Sequence, residues 1–170
     1  MNTLSPCSVF VKHAPTADSR YCDPNRVSVE TLEASTRQHI RDVYGAMSWM
    51  EQCLAFSRIS HDLHKLETMG EFHAGFVNKF ADATWLHKHY ASTRHHLNEP
   101  DGVRDDVNLF DVLEFIADCV VAGMGRAGSV YPLKLSPEML ERAFQNTVEA
   151  LKSRVVLVGP ENDGGKIEQA

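Results

Sequence analysis

The chain has 170 residues, a length that fits one domain with a buried core, and its 43% hydrophobic and 24% charged residues are ordinary for a globular protein. Its formal net charge of -6 argues against an extended nucleic-acid track, because binding the phosphate backbone needs a basic face. No apolar run approaches the roughly 18 residues of a membrane span, and the first ten residues lack a signal-peptide pattern, so we expect a cytoplasmic protein without a membrane partner.

The first half of the chain predicts an arm followed by three helices. Residues 1–28 carry three prolines and no sustained period, which indicates an extended arm with a short strand at residues 8–12. Over residues 29–56 apolar side chains recur at steps of three and four, the pattern of an amphipathic helix. A short second helix is predicted over residues 61–69. A third helix is predicted over residues 71–92, with its buried side supplied by Phe72, Phe76, Val77, Phe80, Ala83 and Trp85.

The second half predicts two more helices, each with a recognisable start. After a polar loop over residues 98–108, Asn108 and Asp111 form a capping-box pattern for a helix that ends near Met124. Ser136-Pro137 is a strong start for a last helix, which runs to about residue 154. We expect a strand or packed tail at residues 155–158 and disorder from residue 159 onward.

These two later helices and the cysteines supply most of the predicted core. The helix after Asn108 is expected to bury Leu109, Leu113, Ile116, Val120 and Val121, and the last helix to bury Met139, Leu140, Ala143, Phe144, Val148 and Leu151. The four cysteines are widely spaced, which predicts free thiols, and Cys53 and Cys119 are expected to be buried.

The stretch with most chemical potential is His61-Asp62, followed closely by His64 and Lys65. An imidazole nitrogen and a carboxylate oxygen suit the same divalent cation, but two ligands do not complete a site, and an isolated pair is usually incidental. Asp118 lies among apolar neighbours, where a carboxylate needs either a cation or hydrogen bonds. Other candidate ligands are His39 on the first helix and His87, His89, His95 and His96 near the end of the third.

The order of these residues, a helical histidine, an HD pair, a histidine cluster and a later aspartate, resembles the HD-domain metal-dependent phosphohydrolases. The chain is similar, more closely, to a small family of phage-encoded proteins of unknown function. That likeness spans about residues 39–156 and is carried by the segments HDLHK, RHHLNEP, VNLFDVLEFIADCVVAGMGR and FQNTVEALK. The resemblance implies an all-α fold, with one HD-like helical bundle over residues 29–158, and a location in the host cytoplasm if a phage encodes the chain.

The resemblance also implies a ligand set. His39, His61, Asp62 and Asp118 would form a first metal site. HD enzymes with additional histidines often hold a second ion that the HD aspartate bridges to the first, and here the added ligands would come from His95 and His96, with His89 or His87.

Five residues are candidates for supporting roles. Lys65 lies one helical turn after Asp62, where it could bind a phosphate oxygen or support the leaving group as a catalytic residue beside Asp62. Arg94 and Arg126 are further candidates for phosphate binding, and Glu114 or His87 for orienting a ligand histidine. For Lys65, Arg94, Arg126 and Glu114 alike, an ordinary surface ion pair is the equal alternative.

The expected activity is hydrolysis of a small phosphorylated compound, a nucleotide or deoxynucleotide, by a water that one or two ions of Mn, Fe, Co, Ni or Zn activate. A cyclic nucleotide or oligonucleotide phosphodiesterase is the close variant if two ions are bound. Two alternatives stay open: a non-catalytic, metal-containing protein that binds a nucleotide signal or a host protein, and a metal-activated oxygenase. A homodimer or larger homo-oligomer is compatible with the resemblance.

Overall fold

The chain is mostly helical, as the sequence predicts. A computed structural model describes residues 7–14, 18–98 and 103–159. None of the helices in these ranges is both long and apolar enough to cross a membrane. The elements are β1 (Val9–Lys12), a short 3₁₀ helix (Pro24–Arg26), α1 (Val29–Ser60), α2 (Leu63–Glu67), α3 (Met69–Val77), α4 (Thr84–Ser92), α5 (Leu109–Ala127), α6 (Pro137–Lys152) and β2 (Val155–Val158).

The structure divides into two compact units. Of the described residues, unit 1 comprises those up to Cys53 and those from Ala150 onward, and unit 2 comprises those from Leu54 to Glu149. The chain leaves unit 1 within α1 and returns to it within α6. The predicted turn at Pro100-Asp101-Gly102 and the predicted disorder after residue 159 lie outside the described residues.

Unit 1 contains the two predicted strands, which pair in parallel with Val9 opposite Val155 and Lys12 opposite Val158. Val9 is buried, and Trp49 and Cys53 are the buried residues of α1. Most apolar residues that made α1 look amphipathic are nevertheless exposed. Two four-residue strands offer little surface to cover a long helix, so the sequence pattern overstates burial here. The exposed residues are Val29, Leu32, Ile40, Val43, Tyr44 and Met47.

Unit 2 is built around a core shared by α5, α6 and the segments flanking them. The buried cluster comprises Leu97, Val107, Val112, Phe115, Cys119, Met139 and Ala143. Cys53 and Cys119 are buried and all four cysteines are free thiols, as predicted.

The predicted buried faces of α5 and α6 are partly wrong. Leu113, Ile116, Val120, Val121, Leu140, Phe144 and Val148 are exposed. Apolar residues surround most of α5, so their period does not select a face. The core instead uses the side of α5 that carries Val112, Phe115 and Cys119.

The predicted third helix is two helices, because the chain reverses between α3 and α4. Lys79 and Phe80 adopt left-handed φ values of 57° and 54°, which an uninterrupted helix does not allow. The Phe80 amide donates to the Gly75 carbonyl at 2.7 Å, and a Cβ on Gly75 would lie 2.7 Å from the Phe80 ring. Phe76 and Val77 are consequently 67% exposed instead of buried.

The start of α5 matches the predicted capping box. The Asn108 side chain accepts hydrogen bonds from the Phe110 and Asp111 amides, and Asp111 Oδ2 accepts from the Asn108 amide at 2.9 Å. Asp111 also accepts two hydrogen bonds from Arg94. Because Arg94 lies in the segment after α4, these bonds attach that segment to the start of α5, the helix that carries Glu114.

Candidate metal centre

The candidate centre lies within unit 2, where the junction of α1 and α2 meets the segment that leaves α4. Asp62 occupies this junction in the left-handed conformation, with φ 56° and ψ 12°. That conformation is uncommon for residues other than glycine. Residues with such strained backbone angles often occur at functional sites, where the surrounding structure fixes the direction of the side chain. His89 lies in the last turn of α4, and His95 and His96 follow that helix.

Two groups of potential ligands meet at Asp62. One consists of His61, Asp62 and His95, the other of Asp62, His89 and His96, and the ligand atoms of each group lie within 4.8 Å of one another. Asp62 Oδ1 is 3.5 Å from His89 Nε2 and 3.7 Å from His95 Nε2, and Asp62 Oδ2 is 3.6 Å from His61 Nε2. The carboxylate therefore faces three imidazole nitrogens, one from the neighbouring His61 and two from α4 and the segment that follows it.

Several of these polar atoms are buried without a hydrogen-bond partner among the described residues. They are Asp62 Oδ1 and both ring nitrogens of His95. His89 and His95 are each only 1% exposed. An unsatisfied buried polar atom costs about 1–3 kcal/mol, so the facing pair of Asp62 Oδ1 and His95 Nε2, 3.7 Å apart, fits a bound cation better than a purely structural contact.

His89 and His96 also direct nitrogens toward each other, with their Nε2 atoms 2.8 Å apart. Burial, with Lys65 next, lowers the pKa of His89 to about 4, and burial, with His95 next, lowers the pKa of His96 to about 3. Both imidazoles are therefore neutral near pH 7, which is the form that binds a metal ion.

Glu114 contacts two of the candidate ligands from the opposite side. Its Oε1 lies 2.9 Å from His61 Nδ1 in a hydrogen bond and 3.0 Å from His95 Nδ1 at an angle outside hydrogen-bond geometry. Burial would raise the pKa of Glu114, but the His61 and His95 imidazoles outweigh it and lower that pKa to about 2. The same hydrogen bond raises the pKa of His61. A carboxylate behind a ligand histidine sets the ring orientation and makes the opposite nitrogen a better ligand.

Lys65 and Asp118 flank the cluster. Lys65 Nζ donates a hydrogen bond to Asp62 Oδ2. Burial would raise the pKa of Asp62, but Lys65 outweighs it and holds that pKa below its usual value. Asp118 Oδ1 lies 3.7 Å from His61 Nε2, although Asp118 belongs to neither group of three.

Four residues considered from the sequence lie apart from these groups. His39 is exposed on the part of α1 that belongs to unit 1, and His87 is exposed on α4. Arg126 is exposed in the last turn of α5, eight residues and about 12 Å of helix rise after Asp118. Arg94 directs its guanidinium to the Asp111 carboxylate at 2.7 and 2.8 Å and to Asp106, so its contacts are architectural.

Two residues that contact the His89 ring, His64 and Trp85, were not predicted from the sequence to be site residues. His64 Nδ1 lies 3.3 Å from His89 Nδ1, where it can accept a hydrogen bond from the Nδ1–H of His89, the tautomer in which His89 Nε2 carries the lone pair that a cation needs. Trp85 stacks on His89, with ring centroids 4.9 Å apart and planes inclined by 13°. Trp85 and His89 are four residues apart on α4, a helical spacing that would have indicated this contact.

No protein-family model matches the chain, and neither the curated proteins nor the solved structures include a match.

Proposed function

We propose that this protein is a divalent-metal-dependent phosphohydrolase on an HD-like fold, acting on a small phosphorylated compound such as a nucleotide or deoxynucleotide. The observation that carries the proposal is the position of Asp62, which belongs to both ligand groups and has a buried oxygen without a hydrogen-bond partner among the described residues. A carboxylate shared between two sets of histidines suits two neighbouring cations.

His61, Asp62 and His95 would hold one ion, and Asp62, His89 and His96 a second. Nitrogen and oxygen ligands of this kind suit Zn, Mn, Fe, Co or Ni. Bound divalent ions lower the pKa of a water ligand and neutralise charge on phosphoryl oxygens.

The surrounding residues support this chemistry in distinct ways. Glu114 keeps the Nδ1 atoms of His61 and His95 turned toward α5, which leaves their Nε2 atoms directed at Asp62. Lys65 places a positive charge next to Asp62, where it can bind a phosphate oxygen. Asp118 adds a carboxylate on the His61 side of the centre, and we keep it as a candidate ligand.

The test combines metal analysis with a phosphate-release screen over nucleoside mono-, di- and triphosphates and cyclic nucleotides. We expect one or two metal equivalents in the wild-type protein and turnover that Asp62→Asn abolishes. The matched control is Asp105→Asn, which removes an exposed carboxylate of unit 2. His39→Ala should leave metal content unchanged, since His39 lies outside both groups.

Trp85 provides a separate readout of binding. Because its ring stacks on His89, Co²⁺ at the centre should quench Trp85 fluorescence, and Trp85→Phe should remove that change while the metal still binds. Absence of metal and of turnover after reconstitution with Mn, Fe, Co, Ni or Zn would refute the hydrolase. Metal binding without turnover would favour a binding protein, and oxygen-dependent turnover an oxygenase.

A further inference from the structure

A cavity of about 370 Å³ adjoins the candidate metal centre, and all of its lining residues belong to unit 2. The last turns of α1 form one wall and the middle of α5 forms the other. At one end the cavity shares His61, Glu114 and Asp118 with the centre. A molecule in this cavity would therefore contact the same side chains that the proposed chemistry uses.

Away from the centre the walls are apolar. Leu54 and Leu113 are 39% and 48% exposed, Val121 is 72% exposed, and Ala117 lies between the last two on α5. Apolar side chains that surround a concave space beside polar, chemically active groups are typical of a small-molecule site. A ligand that covers them removes apolar surface from water, which favours an apolar group at this position.

Arg58 adds one positive charge to the cavity lining. Its side chain is exposed, and its guanidinium has no ion-pair or hydrogen-bond partner among the described residues. The acids at the shared end, Glu114 and Asp118, would repel an anion that approached without a cation. Arg58 is therefore the group of this cavity that can attract a phosphate directly, since a guanidinium pairs with phosphate oxygens through two donors.

We propose that this cavity binds the organic part of the substrate and selects a compact apolar or aromatic group attached to the phosphate, an inference that rests on the proposed function. The volume is near the lower end of the roughly 300–1,000 Å³ found for ligand pockets, which favours a single ring system over a polymer. In the hydrolysis, the bond from phosphorus to the organic oxygen breaks, a water oxygen bonds to phosphorus, and a proton from that water goes to the departing oxygen. Arg58 pairs with a phosphate oxygen as the substrate enters.

The decisive variant is Ala117→Phe, which fills the cavity from an exposed helical position where packing of the core is not disturbed. Val120→Phe makes the same kind of addition at an exposed position of α5 that does not line the cavity, so it is the matched control. Arg58→Gln tests the charge. Neither Ala117 nor Arg58 contributes to the candidate ligand groups.

Binding is measured first, by calorimetry on the Mn²⁺-loaded protein with the non-hydrolysable probes 1-naphthylphosphonate and methylphosphonate. Discrimination by an apolar pocket is worth about tenfold or more, so we expect the naphthyl compound to bind at least that much more tightly. Ala117→Phe should abolish the difference and Val120→Phe should retain it. Arg58→Gln should weaken both probes by about tenfold, the effect of one lost charged hydrogen bond. Release of phosphate from 1-naphthyl phosphate and glycerol 2-phosphate is then compared.

The outcomes separate this inference from the proposed function. Equal binding of both phosphonates by the wild type overturns the cavity assignment, even if phosphate is released from both esters. A naphthyl preference that Ala117→Phe removes supports the cavity, even if no ester is cleaved and the hydrolase fails. If Ala117→Phe instead changes the mass of the protein in solution and leaves the preference intact, the cavity is a contact between copies and the assignment is overturned.

Discussion

Glu114→Gln is the most informative single change in the candidate centre. It preserves the shape of the side chain and an oxygen that can accept from His61 Nδ1, but it removes the negative charge. The variant therefore separates the electrostatic contribution of Glu114 from its hydrogen bond. It is first examined in protein stripped of metal with a chelator, so that the His61–Glu114 pair is measured alone.

The expected magnitude follows from the pKa of Glu114, which falls from the usual 4.5 to about 2 as its histidine contacts outweigh burial. One pKa unit corresponds to about 1.4 kcal/mol, so the shift is worth up to about 3 kcal/mol. Because the folded-state pKa of Glu114 is lowered, its contribution is present above about pH 4.5 and disappears as the pH falls through about 2. Because the pKa of His61 is raised, its contribution is complete below pH 6.5 and is lost as the pH rises through the folded-state pKa.

Both contributions are therefore complete only between about pH 4.5 and about pH 6.5. Urea denaturation at about pH 5.5 should show Glu114→Gln destabilised by up to about 3 kcal/mol, and at about pH 9 by clearly less. Glu141→Gln, on the exposed side of α6, is the control and should stay within about 0.5 kcal/mol at both values. In the metal-loaded protein, losing the residue behind two ligand histidines should weaken metal binding by about 10- to 100-fold.

Two results would refute this reasoning. A loss of stability that is the same at both pH values would show that the charge of Glu114 does not pair with His61. Unchanged metal affinity would show that the ligand nitrogens of His61 and His95 are oriented without Glu114.

Two further predictions concern the framework of unit 2. Arg94→Met leaves the buried Asp111 carboxylate without its ion-pair partner and should lower the free energy of unfolding by about 3–5 kcal/mol in a urea titration. The control is Arg104→Met, which removes an exposed ion pair with Asp106 and should cost less than about 1 kcal/mol in the same titration. Gly123→Ala would place a Cβ 2.5 Å from the Ser129 carbonyl oxygen and from the Tyr131 amide nitrogen, and it should destabilise the protein by at least about 1–3 kcal/mol. Gly125→Ala meets nothing within 4 Å and should stabilise its helix by about 0.5–1 kcal/mol, and both effects are measurable as shifts in melting temperature.

Local sequence signals predicted the elements well where the deciding interaction spans only a few residues. The cap of α5 depends on Asn108 and Asp111, which are three residues apart, and the start of α6 depends on Pro137 and the serine before it. In the same way, Trp85 and His89 are four residues apart on one helix, so their contact could have been predicted from the sequence.

The same signals failed where the outcome depended on distant parts of the chain. Nothing local distinguishes the two apolar sides of α5, because the choice depends on α6 and on the segment before α5. The break between α3 and α4 requires Phe80 to fold back over Gly75 and stack near Phe72 and Trp85. Residue pattern alone treats that stretch as one continuous helix.

The candidate centre shows the same division. By itself the sequence determined which chemical groups are available, because the HD pair, the clustered histidines and Asp118 are readable as potential ligands. Only the tertiary structure decided which of them meet. It brought His89, His95 and His96 next to Asp62, and it placed Glu114 against the rings of His61 and His95. Arg94 pairs with Asp111 instead, and His39 belongs to the other unit. The physical reason is that ligand convergence is a long-range property, set by packing between elements, whereas residue type and spacing report only what each element can offer.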